Sequence, residues 1–468
     1  MAFNSLEYAV FFLVVFAVYW RLPHRAQNLF LLAASWFFYA CWDWRFLSLM
    51  LASTTVAYWI GLQLEATSEP VVRKRLVTIS VVVNLGILAF FKYFGFFSES
   101  LQILLTSMGA STGWLLPNIV LPIGISFYTF QALGYTIDIY RREVEPSRHF
   151  LDFALFKSFF PQLIAGPIER AHNLLPRILS PRVFSYADLG RGSFLILVGL
   201  FKKVVVADGL APSVDGIFRA GANASGGDVW LGSLLFALQI YGDFSGYTDI
   251  ARGSSKLLGI DLMQNFRSPY FSSSPQEFWT RWHISLSSWL RDYLYISLGG
   301  NRGGQLATYR NLMLTMVLGG LWHGAAWNYV LWGAYQGLLL VLHRALSSWR
   351  RASAAPFLTP IKILGFFVLT CYGWVLFRAR SLAQCVDFTL AQLSAPLTFH
   401  IGFDRPPLPT LAALPVLIVM DWLQYTNGDI FFYRSWSPPK RGLLYALITW
   451  LLVMGLSNAP SEFVYFQF

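Results

Sequence analysis

Charge is what this sequence has least of. Only 13% of its residues are Asp, Glu, Lys or Arg, against about a quarter in a soluble globular chain. With 56% apolar residues and a mean hydropathy of +0.51, the scarcity excludes a soluble protein and predicts an all-α polytopic integral membrane protein. Acidic residues are the scarcer kind, which leaves a net charge of +11. No stretch resembles a nucleic-acid module, so no nucleic-acid partner is expected. Anionic lipid heads or a phosphorylated cytosolic ligand suit the excess cation better. The three cysteines, Cys41, Cys371 and Cys385, have neither metal spacing nor a disulfide pattern and read as small apolar filler. No His/Glu cluster has metal-ligand spacing, so no metal is expected. A G-x-S-x-G elbow and a Ser-His-Asp order are also missing, which argues against a serine enzyme of the hydrolase type. The first apolar run, Leu6–Trp20, lacks a basic start, carries Glu7 and is followed by Arg21–Arg25 rather than a cleavage site. It reads as a retained span, not a signal peptide. Internal repeats and low-complexity tracts are absent, so residues 1–468 are expected to form a single integral membrane domain.

What the chain does have is aromatic residues, 17% of the total with 18 Trp, as interfacial anchoring requires. Runs of about 20 mostly apolar residues mark spans near 4–20, 27–42, 45–64, 76–97, 115–138, 188–206, 228–250, 357–377, 408–424 and 442–458. Between them, 151–168, 275–300 and 312–343 are apolar runs broken by Pro, Gly or charge, as expected of re-entrant or interfacial segments. Arg21, Arg25, Arg73–Arg75, Arg141 and Arg142 cluster in alternate loops. The positive-inside rule then puts both termini and the Gly/Ala-rich loop Gly209–Asp228 outside, with 253–310 and Tyr433–Arg441 inside. Arg378 and Arg380 fall on the wrong side of this scheme. Lys202 and Lys203 sit uncomfortably at the outer end of a span.

The stretch around His323 stands apart. It reads GGLWHGAAWNYVLWG, and no charged residue lies between Arg310 and His343. An ionisable group in such a segment is expensive to keep and marks a functional site by default. Basic residues at both ends suggest two half-helices entering and leaving from one side, with Gly319, Gly320, His323 and Gly324 near the turn. The same features suit an imidazole that merely hydrogen-bonds between helices. The block Gln239–Arg302 is also too polar for lipid-facing helix. Asp243, Asp249, Glu277, Arg281, Arg291 and Asp292 read individually as structural ion pairs, with Glu277 and Arg281 spaced i,i+4. His283 differs. Like His323 it follows a tryptophan in a polar-interrupted segment, and two such imidazoles make an acid/base pair. His24, His149, His172, His343 and His400 are expected to be solvated or structural.

WTRWHISLSSWLRDYLYISLGGNR (Trp279–Arg302) followed by GGLWHGAAWNYVLWG resembles the membrane-bound O-acyltransferase (MBOAT) superfamily, and within it the bacterial alginate O-acetyltransferase branch. PIGISFYTFQALGYTIDIYR (Pro122–Arg141), FFPQLIAGPIER (Phe159–Arg170), GLFKKVVVAD (Gly199–Asp208), QIYGDFSGYTDIA and FVYFQF occur in the order typical of that group. The resemblance implies an MBOAT-like ring of tilted helices with re-entrant segments around a thin central core. It matches the family's functional histidine to His323 and its second functional position to His283. It further implies an acyl thioester donor, acetyl-CoA or an acetylated cytosolic carrier, with no tightly bound cofactor.

On this reading the chain is a multi-pass protein of the bacterial inner membrane. It moves an acetyl group across the membrane towards an exported polysaccharide, through an extracytoplasmic SGNH-type acetyltransferase. The basic face would attract CoA phosphates. His323 would act as general base or transient nucleophile, and His283 would orient the thioester or stabilise the oxyanion. Peptidoglycan O-acetylation and D-alanyl transfer to teichoic acid remain as alternative acceptor chemistries. A polytopic transporter would also use broken helices, but should show inverted repeats.

Overall fold

The computed structural model describes residues 1–110, 119–164, 166–346, 358–400, 402, 404–456, 460–461 and 463–464. Among them there is no β-strand. The chain divides into two compact units, residues 1–192 with 254–263, and residues 193–253 with 264–468.

The first unit contains α1 (Leu6–Tyr19), α2 (His24–Asp43), α3 (Arg45–Ala66), α4 (Pro70–Ser107), α5 (Ile125–Arg141), α6 (Phe150–Ser158), α7 (Ala171–Leu179) and the start of α8 (Tyr186–Leu200). Their boundaries follow local chemistry. Ser5 caps α1 by accepting from the Tyr8 N–H at 3.2 Å, and Pro70 opens α4 where a missing N–H is harmless. At the α2–α3 turn, outside the spans, the Arg45 side chain hydrogen-bonds Asp43 and holds its carboxyl below the usual range. Arg73 is not loop charge. It is buried, and it donates to the carbonyls of Leu64, Thr67, Ile139 and Tyr140. A cation there meets the negative ends of both α3 and α5. The segment 151–168 is broken as expected, α6 ending at Phe159 before the four-residue turn Phe160–Leu163.

The second unit continues α8 through a π-helical turn, Phe201–Ala207, into α9 (Asp208–Arg219). Most of the expected loop Gly209–Asp228 is therefore helix. The two lysines that seemed misplaced belong to this π turn and are buried in ion pairs, Lys202 with Asp249 at 2.7 Å and Lys203 with Asp208 and Asp243 at 2.8 and 2.7 Å. Arg378 pairs with Asp215 of α9 at 2.6 Å. Lys202 and Lys203 are neutralised inside the protein, so they report nothing about membrane sidedness.

There follow α10 (Gly226–Leu257), the short α11 (Pro275–Arg281) and α12 (Ile284–Trp289), α13 (Gly304–His323), α14 (Trp327–Ala345), α15 (Thr359–Arg378), α16 (Leu382–Ser394), α17 (Leu408–Asn427) and α18 (Pro438–Gly455). Each expected span overlaps a helix, but 119–124 of the span 115–138 are not helical, α5 starting at Ile125, and positions 115–118, 357, 457 and 458 lie outside the described residues. By length and apolarity alone, α3, α4, α15 and α17 are able to cross a bilayer. Others fall short for a physical reason. Along α10, Gln239, Asp243, Ser245, Thr248 and Asp249 are all buried against protein, so the helix need not be apolar to be embedded.

The expected half-helices around His323 are a correction. Helices α13 and α14 have 20 and 19 residues, about 30 Å each at 1.5 Å per residue. They form a hairpin of full-length helices because small residues let them touch. A Cβ on Gly320 would lie 2.2 Å from the Tyr329 carbonyl oxygen, and one on Gly333 would lie 2.4 Å from that of Met316. Such close backbone approach is how embedded helices associate without a hydrophobic drive.

Candidate active site

His323 is the last residue of α13, at the closed end of the hairpin. The next residue has no room for a side chain, since a Cβ on Gly324 would fall 2.2 Å from the Tyr329 ring. The imidazole is only 4% exposed. Aromatic rings wall it edge-on: Trp322 and Trp332 with centroids at 5.1 Å, and Phe377 at 5.5 Å. Trp374 stacks on Trp332 and also packs on Trp282, the residue before His283.

His283 joins α11 to α12. Its φ of +42° lies in the left-handed region, which residues other than glycine rarely adopt. Two neighbours hold it there. The Ile284 N–H donates to the Asn265 carbonyl at 2.9 Å, and the Ser285 N–H to the Asn265 side-chain oxygen at 3.1 Å. His283 also caps α12, its Nδ1 accepting from the Leu286 N–H at 3.3 Å. An accepting Nδ1 places the proton of the neutral ring on Nε2. In that tautomer the ring carries its N–H on Nε2. The ring meets Phe244 at 4.6 Å and Trp322 at 6.0 Å. The two imidazoles lie nearly perpendicular, with centroids 6.5 Å apart.

A cavity of about 840 Å³ runs along the hairpin. His323, Gly319, Trp279 and Trp332 line it near the turn of the hairpin, while Gln305, His343 and Arg344 line it near the far ends of the two helices, with Tyr295 and Arg291 also in its wall. From Gln305 to His323 the axis of α13 rises about 27 Å. His283 is fully buried and does not line this cavity. His343, expected to be solvated or structural, is half-buried and lines this cavity near Arg344.

The polar residues of 239–302 fall into ion pairs as their individual readings suggested. Asp243 and Asp249 bind Lys203 and Lys202, Glu277 binds Arg281 at 3.0 Å, and Arg291 binds its own neighbour Asp292 at 2.7 Å. Sequence reasoning missed Trp279, Trp332, Phe377 and Asn265. The tryptophans sit in the segments that drew attention for their histidines, but no spacing rule joins them to an imidazole in another helix.

The family model for the membrane-bound O-acyltransferase family matches residues 41–386. The chain is 46% identical to the probable alginate O-acetylase AlgI of Azotobacter vinelandii over 82% of this chain and 76% of that one. It is 40% identical to the probable alginate O-acetylase AlgI of Pseudomonas putida over the whole of both. It is 36% identical to the peptidoglycan O-acetyltransferase of Helicobacter pylori over 100% of this chain and 98% of that one. Family membership makes the chain an acyltransferase rather than the polytopic transporter that broken helices also allowed. A buried imidazole lining a long cavity, in a chain matched by this model over most of its length, leads to one conclusion: the chain belongs to the membrane-bound O-acyltransferase family and is an O-acyltransferase.

Proposed function

We propose that the chain transfers acetyl groups from a cytosolic thioester to an exported polysaccharide, alginate or a close relative, from the inner membrane of a bacterium. The observation that carries this is the hairpin cavity, with Arg344 near the far ends of the two helices and His323 near their turn. An anionic donor such as acetyl-CoA would leave its phosphates near Arg344 and extend its acyl-bearing arm towards His323. His323 would take the proton from an acceptor hydroxyl as its oxygen attacks the thioester carbonyl. The C–S bond then breaks and the thiol leaves with that proton. His283, which does not line the cavity, would hold the reacting end in place through the Trp322 ring that meets both imidazoles. Similarity to O-acetylases of two organisms supports acetyl as the group and alginate as the polymer. The full-length similarity to a peptidoglycan O-acetyltransferase keeps that wall polymer as the second reading.

An SGNH-type extracytoplasmic protein would receive the group before the polymer does. Reconstitution with labelled acetyl-CoA in liposomes tests this. The chain alone should cleave donor slowly and label polymer poorly, and adding the partner should restore labelling of alginate. Efficient polymer acetylation by the chain alone would overturn the relay. Label on peptidoglycan but not alginate would favour the second acceptor.

A further inference from the structure

One buried cluster of the second unit has no place in the acyl-transfer reading. The π turn Phe201–Ala207 sets Lys203 where it pairs with both Asp208 and Asp243. Such turns are frequent at functional sites. All three charged residues also bind Ser461 or Val464. The Lys203 Nζ donates to the Ser461 carbonyl at 3.0 Å, the Ser461 hydroxyl donates to Asp208 at 2.5 Å, and the Val464 N–H donates to Asp243 at 2.7 Å. Charge-assisted bonds of this kind are the strong ones. Between the two gripped residues lies Phe463, 1% exposed. Its ring packs on Tyr247 at 4.4 Å and on Phe244 at 5.8 Å. Phe244 is the ring that meets His283 at 4.6 Å. The His283 ring is held by its Nδ1 bond to the Leu286 N–H and by the rings packed against it, Phe244 among them.

We propose that Ser461, Phe463 and Val464 act as a positioning strap for His283. Lys203, Asp208 and Asp243 fasten Ser461 and Val464, and the Phe463 side chain holds Phe244 against the imidazole. The inference rests on His283 taking part in acyl transfer. Phe463 is a positioning residue, since neither it nor Phe244 lines the cavity.

The test uses the purified full chain in detergent, with acetyl-CoA cleavage as the probe reaction. Phe463→Leu keeps the apolar volume and loses the ring. Its kcat per monodisperse protein should fall about tenfold with KM for acetyl-CoA unchanged, the pattern of a transition-state contact. Phe463→Tyr, which keeps the ring, should retain most of the wild-type kcat. In a His283→Asn background, Phe463→Leu should change kcat by less than about twofold, because residues that act through one another are not additive. A wild-type kcat for Phe463→Leu, or the same tenfold loss in both backgrounds, overturns the strap. Should His283→Ala itself keep full kcat, the underlying reading of His283 fails instead, and the two failures are distinguishable.

Discussion

The second unit buries ionisable groups in two ways. Around Lys203, charge answers charge: one ammonium, two carboxylates and the backbone they hold. Around His283 and His323 the walls are aromatic, built by Phe244, Trp322, Trp332 and Phe377. The difference teaches what each burial is for. A permanently charged group is tolerable away from water only when its charge is cancelled. An imidazole can remain neutral, so it survives among rings and stays available to accept a proton. The first region fixes backbone; the second surrounds imidazoles that can stay neutral.

Two substitutions break the comparison most sharply. His323→Ala should lower acyl transfer by about 10²-fold or more, the scale of a lost acid/base group, with membrane-inserted protein unchanged. Quantifying acetyl ester on the polymer at equal protein levels checks this, and near-normal acetylation removes His323 from the mechanism. Lys203→Met should fail the other way. It leaves two buried carboxylates uncompensated, at about 3–5 kcal/mol, so the loss should appear as reduced melting temperature and poor extraction in folded form. A Lys203→Met protein of normal stability with an inactive site would erase the distinction.

A smaller effect sharpens the aromatic side. His283→Ala should lower kcat by about 10- to 100-fold, below the loss of a direct oxyanion donor, because His283 does not line the cavity. His283→Asn should retain more, since an amide N–H can still donate. Equal activity of the Ala variant and wild type makes His283 structural. The hairpin gives a graded case. Gly320→Ala forces α13 from α14, and overpacking of this sort costs about 1–3 kcal/mol. A lowered melting temperature together with a raised donor KM is expected, and an unchanged melting temperature contradicts the close approach. The smallest effect belongs to the end of the cavity far from the hairpin turn. Arg344→Gln should raise the KM for acetyl-CoA about three- to tenfold at low salt, with the difference shrinking as ionic strength rises. A salt-independent change would mean that Arg344 acts through packing.

Much was legible without coordinates. Low charge and high apolarity determined a helical membrane protein, because hydrocarbon demands that each span satisfy its own backbone hydrogen bonds. His323 was legible because an isolated imidazole in an apolar run is costly, and the i,i+4 pair Glu277–Arg281 because helical spacing is local. What the sequence could not decide involves groups far apart in the chain. The burial of Arg73 beneath two helix ends, the pairing of Lys202 and Lys203 with α10, and the entry of His343 into the cavity all looked like loop or surface chemistry. Composition counts a charge but does not show what answers it. The aromatic walls of the two imidazoles come from α10, α13, α14 and α15. Only tertiary packing brings those helices together, because ring contacts have no period along the chain.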